Sequence, residues 1–215
     1  MRSDTLKTRW LGRVEYADGL RIQEEILAAK VENLAEPDHL LLLEHEPVYT
    51  IGRGADRSSL GMQHETLPHP VVETNRGGKA TYHGPGQLVG YALVDLRVRG
   101  QDLHRHLRSL EAGLIECCEA LGVRAENREG LTGVWVGRRK LASIGVGVRR
   151  WITMHGFGLN VCGPLGGFDL ITPCGLEGVE MTSLEAEGAG TVTVESASLL
   201  AAEVFTRVFQ QLETP

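Results

Sequence analysis

The chain has 215 residues, 42% of them hydrophobic and 23% charged, with a formal net charge of −6. That length makes one domain over residues 1–215 the default, with two small ones possible, and a chain of this size can fold without a covalent staple. The acidic balance argues against a nucleic-acid binder, which would carry a basic footprint, and no apolar run approaches the roughly 20 residues of a membrane helix.

In chain order, residues 8–14 alternate loosely and predict a first strand. Leu20, Leu27, Val31 and Leu34 then form one helical stripe. The apolar run at 39–45 is ended by Pro47 and predicts a buried strand, with another at 48–51. Leu103, Leu107, Leu110, Leu114, Cys118 and Leu121 predict a second helix, stopped at Gly122. Short strand-like segments follow at 133–137, 141–148 and 151–161. A third helix is expected from about 194 to 212, with Thr193 as N-cap and Leu200, Val204, Val208 and Leu212 on one face. Helices and hairpin-spaced strands mixed in this order predict an α+β fold, a mixed sheet flanked by helices.

The start of the chain carries no apolar signal core. The four cysteines, Cys117, Cys118, Cys162 and Cys174, include an adjacent pair that is a poor start for a disulfide framework, and no C-x-x-C. Free thiols in a reducing cytoplasm are the expectation. Several catalytic patterns fail. His45-Glu46-Pro47-Val48-Tyr49 lacks the second histidine of the zinc motif, and Pro47 spoils its helix. There is no phosphate-binding loop, no dinucleotide fingerprint and no serine-hydrolase elbow. No metal and no cofactor is expected.

Four segments do point to chemistry. In residues 76–87, glycine turns flank a strand-like piece at 79–82, with Arg76, Thr81, His83 and Gln87 around it. Such a segment serves either as a substrate-lining wall or simply as a hairpin. Lys140 stands at the mouth of a strand that turns small and apolar. It is either a surface lysine or one drawn into a low-dielectric cleft, where it acts as a base. Gly156 and Gly158 leave a strand bare on one face, for a ligand or for another backbone. Pro173 and Gly175 keep Cys174 on a turn, which presents the side chain, whereas Cys117 and Cys118 fit a helix core.

The run R-G-G-K-A-T-Y-H-G-P-G-Q-L-V-G-Y at residues 76–91 resembles the signature of the octanoyltransferases of lipoate biosynthesis. Similar segments follow in register at 139–145, 155–160 and 173–175, and precede it at 42–53. The resemblance spans roughly residues 10–210. Lys79 departs from it, standing where an acidic residue is common, at a position expected to be permissive.

The resemblance implies the fold of biotin and lipoate protein ligases. It implies transfer of octanoyl from octanoyl-acyl carrier protein to a lysine of lipoyl domains, those of 2-oxo acid dehydrogenases and the glycine cleavage H protein. Cys174 then matches the acyl-carrying cysteine and Lys140 its partner. Arg76, Gly77, Gly78, Lys79, Ala80, Thr81, Tyr82 and His83 match the acyl-site lining, as do Ser143, Ile144, Gly145, Gly156, Phe157 and Gly158. Oxyanion donors are sought at residues 143–145 and at His83. Arg138, Arg139, Arg149 and Arg150 are candidates for a basic patch toward an acidic carrier. Three alternatives stand beside this: an ATP-dependent lipoate or biotin ligase on the same fold, a Cys174 hydrolase with His155 or His83 as base, and a non-catalytic binding module.

Overall fold

The computed structural model describes residues 6–53, 57–61, 66–175 and 178–211. Its main sheet has seven strands in the order β1-β2-β6-β10-β9-β8-β7. These are β1 (Lys7–Val14), β2 (His39–His45), β6 (Gln87–Leu93), β7 (Glu126–Arg128), β8 (Leu131–Val136), β9 (Arg139–Arg149) and β10 (Ile152–Asn160). Only β1 and β2 pair in parallel, across the helix α1 (Tyr16–Glu32) that joins them. The rest of the sheet is antiparallel. A small sheet of β3 (Val48–Ile51), β4 (Val71–Glu73) and β5 (Thr81–His83) lies beside it, with β3 central. The architecture is the mixed α+β arrangement that the sequence predicts.

Both faces of the main sheet are covered, which explains the unbroken apolar run of β2. Leu40 and Leu42 point into the core under α2 (Leu103–Ala120) and α3 (Val194–Gln211); Leu41 and Leu43 point into the core under α1. Strand β10 alternates likewise: Ile152 and Met154 pack under α1, Phe157 and Leu159 under α2 and α3. Continuing that period, Gly156 and Gly158 fall on the α1 face but beyond the helix, so the sheet is left bare there. A third apolar cluster, around Tyr49, Ala80 and Phe168, fills the small sheet.

Two helical stripes differ from expectation. Helix α1 buries Tyr16, Gly19, Gln23, Leu27 and Lys30, while Leu34 lies past its end and is exposed. Lys30 is fully buried because its ammonium group donates to Asp38 at 2.7 Å and to Pro37 O at 2.9 Å. In α3 the buried face is Val194, Ala197, Ala201, Val204, Phe205 and Phe209; Leu200 and Val208 flank it, and Leu212 lies outside the described residues. Small alanines let α3 approach the sheet, and the aromatic rings, not the evenly spaced aliphatics, fill the gap. Thr193 is the N-cap as expected, its Oγ1 accepting from Ser196 N at 3.1 Å.

Candidate active site

The bare stretch of sheet is a trough. Gly156 pairs with Gly145 on one side and Tyr91 on the other; one step along, Gly158 pairs with Ser143 and Val89. Each glycine is a requirement of packing. A Cβ at Gly156 would overlap Gly90 O, and one at Gly158 would lie 2.8 Å from Gln87 Oε1. Over this floor stand β5, the loop at 76–79 and the start of α1, enclosing a space of about 530 Å³ that includes its open mouth.

Cys174 closes one end. It sits on a one-turn segment, Pro173–Gly175, with φ 56° and ψ 12°, in the left-handed region. The turn is tied down by Cys174 N donating to Ala80 O at 2.9 Å and Thr172 N donating to Ser59 O at 2.8 Å. Gly175, also left-handed at φ 67°, has its open side covered by the stem of Lys79.

Lys140 comes from β9, deep in the sheet. Its backbone also bonds to the returning chain, donating to Glu180 O at 2.8 Å and accepting from Thr182 N at 3.0 Å. The side chain is 1% exposed. Its Nζ lies 3.2 Å from Cys174 Sγ and 3.2 Å from Thr132 O, over the Trp135 ring at 5.0 Å from the centroid. A buried ammonium group needs this company: a carbonyl, a π face and a sulfur that can carry negative charge. Ser143 Oγ approaches the same sulfur at 3.8 Å.

The structure gathers most of the residues singled out in the sequence. Arg76, Gly78, Lys79, Thr81 and His83 line the space from above, and Ser143, Ile144, Gly145, Gly156, Phe157 and Gly158 from below and beside it. Gly77, Ala80 and Tyr82 stand off it. Gly77 N anchors the loop to Val146 O at 2.9 Å. Ala80 belongs to the small-sheet core, where its carbonyl holds the Cys174 turn. Tyr82 points to the opposite face of β5, against Tyr49 and Phe168. The alternation of a strand explains this: Thr81 and His83 share one face and Tyr82 takes the other.

Five lining residues were not among those site assignments: Tyr16, Gln87, Val89, Tyr91 and His155. The signal was present for three of them, since Gln87, Val89 and Tyr91 alternate on one face of β6. Tyr16 opens α1, and nothing in its spacing marks it.

Electrostatically the rings around the space are neutral, and the Arg76 guanidinium is buried among them. Burial pushes His83 down to about 3, with His45, Arg76 and His155 adding to the shift and the Gln87 hydrogen bond opposing it. Burial likewise lowers His45 to about 4 and His155 to about 4, and raises Tyr16 to about 12. Arg76 donates to Thr50 O at 2.9 Å, Thr50 Oγ1 at 2.8 Å and Gly77 O at 2.9 Å. No carboxylate pairs with it among the described residues. Burial lowers it, and nearby Tyr16, Cys174 and Tyr91 offset part of that.

The tautomer of His83 follows from its chain of contacts. Asn160 Nδ2 donates to Thr182 O at 2.9 Å, so its oxygen faces Gln87 and accepts from Gln87 Nε2 at 2.9 Å. Gln87 Oε1 therefore accepts from His83 Nδ1, at 2.6 Å. A neutral ring with its proton on Nδ1 offers a lone pair at Nε2. With that one proton committed to Gln87, the neutral His83 has no ring N–H left to serve as the oxyanion donor sought in the sequence.

The four arginines do not form one patch either. Arg138 and Arg139 stand at the Lys140 end of β9, with Arg139 bound to Glu187 at 2.7 and 2.8 Å. Arg149 and Arg150 stand at the far end, roughly 30 Å away along an extended strand.

A trough that ends at a thiol in contact with a buried lysine is an arrangement suited to an enzyme of thioester or acyl chemistry, and the comparisons give the class. The lipoyl protein ligase A/B catalytic domain matches residues 15–206. An octanoyltransferase of Geobacter sulfurreducens is 50% identical over 198 residues, covering 91% of this chain and 81% of that one. One of Citrifermentans bemidjiense is 55% identical over 177 residues, covering 82% and 84%. Among solved structures, a putative lipoate protein ligase from T. acidophilum superposes with a TM-score of 0.71 at 14% identity, over 97% of this chain and 85% of that one. The chain therefore belongs to the lipoyl protein ligase A/B catalytic-domain family. Within that family it stands with the octanoyltransferases, and it is an acyltransferase enzyme.

Proposed function

We propose that this enzyme takes octanoyl from octanoyl-acyl carrier protein onto Cys174 as a thioester and delivers it to a lysine ε-amine of lipoyl domains, those of 2-oxo acid dehydrogenases and the glycine cleavage H protein. The observation that carries the proposal is the 3.2 Å separation of Lys140 Nζ and Cys174 Sγ at the end of the trough. An unperturbed thiol is only about 3% thiolate at pH 7. An ammonium group in contact stabilises the thiolate, and a neutral amine in the same place can accept a proton.

Two transfers follow. The Cys174 thiolate attacks the carrier thioester, forming the S–C bond and then expelling the carrier thiolate, which takes a proton. The acceptor amine next attacks the Cys174 thioester; the amide forms, Cys174 leaves as thiolate, and the amine's surplus proton passes to neutral Lys140. Exchange between thioesters is nearly even in energy and amide formation runs downhill, so no ATP is consumed. Ser143 Oγ, beside the sulfur, is the side chain best sited to donate to the tetrahedral oxyanion.

The acyl tail has seven carbons beyond the carbonyl. At about 0.8 kcal/mol per buried CH₂, the trough gains roughly 5 kcal/mol from it. The tail runs from Ser143 toward Tyr91, with glycine beneath it at each step. We take residues 1–215 to act as one catalytic domain in the cytoplasm. No helix among the described residues is long and apolar enough to cross a membrane.

The test is the intact mass of the enzyme after mixing with octanoyl-carrier, without ATP. Wild type should gain one octanoyl group and lose it when a lipoyl domain is added; Cys174→Ser should gain none. Full transfer by Cys174→Ser, or a requirement for ATP, would refute the thioester route and favour a ligase. Release of free octanoate without acceptor would favour a hydrolase.

A further inference from the structure

Lys140 touches Cys174 on one side and a single peptide unit on the other. Its Nζ donates to Thr132 O at 3.2 Å. The N–H of Gly133 belongs to that same planar unit and points the opposite way, as in any trans peptide. It donates to Glu111 Oε1 at 3.0 Å. Glu111 lies on α2 and is 0% exposed. Its other oxygen accepts from Arg108 at 2.6 Å, an arginine whose side chain is half exposed.

Carboxylate, peptide and lysine thus stand in series, with an anion at the N–H end of a peptide dipole and a cation at its C=O end. Each charge lowers the energy of the dipole, and each strengthens the other's hydrogen bond through it. The closeness is built in. A Cβ at Gly133 would lie 2.6 Å from Ala142 O and 2.9 Å from Lys140 Cε, and Gly133 holds φ 125°. The register of β8 against β9 shifts just beyond it, between Val134 and Trp135. Arg108 offsets Glu111 only in part, because half of its side chain is in water.

We propose that Glu111 is a positioning residue that holds Lys140 in place and in its ammonium form through the 132–133 peptide. The inference rests on the reading that Lys140 serves Cys174. In the resting enzyme the ammonium group then favours the Cys174 thiolate. Once the sulfur is acylated and neutral, Glu111 joins the Thr132 carbonyl and the Trp135 ring in opposing release of that proton, and so helps set the pH at which Lys140 can act as a base.

Acyl-enzyme is prepared with an octanoyl thioester, and its single-turnover aminolysis by hydroxylamine, an amine already unprotonated at neutral pH, is followed against pH. In Glu111→Gln the rate should reach half its plateau at lower pH, by on the order of one pH unit, because removing an anion lets Lys140 lose its proton sooner. A purely structural Glu111 would lower the plateau and leave that midpoint in place, and that result overturns the proposal. If Glu111→Gln does not fold, Arg108→Gln is the alternative. Unmasking the carboxylate should move the midpoint upward, and an unmoved midpoint overturns the proposal equally. Failure of wild type to form any acyl-enzyme on Cys174 would remove the underlying function reading as well. Acylation with an unmoved midpoint would remove the Glu111 inference alone.

Discussion

The two halves of the Lys140–Cys174 contact are built in opposite ways. Lys140 projects from a long strand bonded on both edges, with its side chain sealed beneath Trp135 and its backbone pinned again by the chain at 180–182. Cys174 projects from a single tight turn outside either sheet, in a left-handed conformation and held by a few backbone bonds. The amine is thus fixed by the scaffold and the sulfur is delivered to it by a loop. On the proposed function, a nucleophile that meets a bulky carrier and then a second protein gains from standing on a turn. A base that must meet only that nucleophile gains from being immobile.

The largest expected effect comes from emptying the fixed side. Lys140→Met keeps length and packing but removes the amine. Octanoyl transfer should fall by about 10²–10⁴, with the residual acyl-enzyme visible by mass and slow to clear. Unchanged clearance would make Lys140 a structural residue and dissolve the comparison.

Acid should next loosen the fixed scaffold around the trough, where His83 and His155 line it and His45 packs behind His83. Their folded values, about 4, 3 and 4, lie below the ordinary 6.5. The native state therefore resists protonation. The stability these rings confer is complete above pH 6.5 and is lost as the pH falls from there toward 4. Each ring costs up to about 1.4 kcal/mol per pH unit in that window. The urea midpoint should drop clearly between pH 7 and pH 5, and a flat midpoint would show that the rings accept protons without cost.

How legible the site was follows the same division. The sulfur's turn was readable because proline and glycine around Cys174 forbid helix and strand. The lysine was readable only as a possibility, since a single Lys before an apolar strand is usually at the surface; the resemblance, not the spacing, singled it out. What the sequence hid was what stands behind Lys140. Glu111 follows Leu110 in a helix whose apolar stripe was evident, and a buried charge leaves no periodic trace. The histidine tautomer was equally hidden, because it depends on Gln87, Asn160 and Thr182 meeting from distant parts of the chain. In the fold, β2 and the helices were plain from run and period. The buried face of α3 was misplaced because four-residue spacing of aliphatics was counted and Phe205 and Phe209 were not. The basic patch failed for a simpler reason: residues close in sequence across one strand lie at its two ends.

The smallest effect separates the two sides most cleanly. Gly133 backs Lys140 and Gly175 follows Cys174, and both have positive φ, 125° and 67°. At Gly133 a methyl would meet the Ala142 carbonyl, which is backbone and cannot yield, so Gly133→Ala should cost about 1–3 kcal/mol of stability and displace Lys140. At Gly175 the nearest atoms a methyl would overlap are those of the flexible Lys79 stem, and the conformation itself costs an alanine about 1 kcal/mol. Gly175→Ala should therefore be mild, and shortening its neighbour in Gly175→Ala/Lys79→Ala should recover part of the loss, a non-additive pair measurable by denaturant unfolding. No truncation should rescue Gly133→Ala, because what it strikes is main chain. If both glycine variants proved equally mild, or both equally severe, the distinction between a rigid amine and a yielding sulfur would not hold.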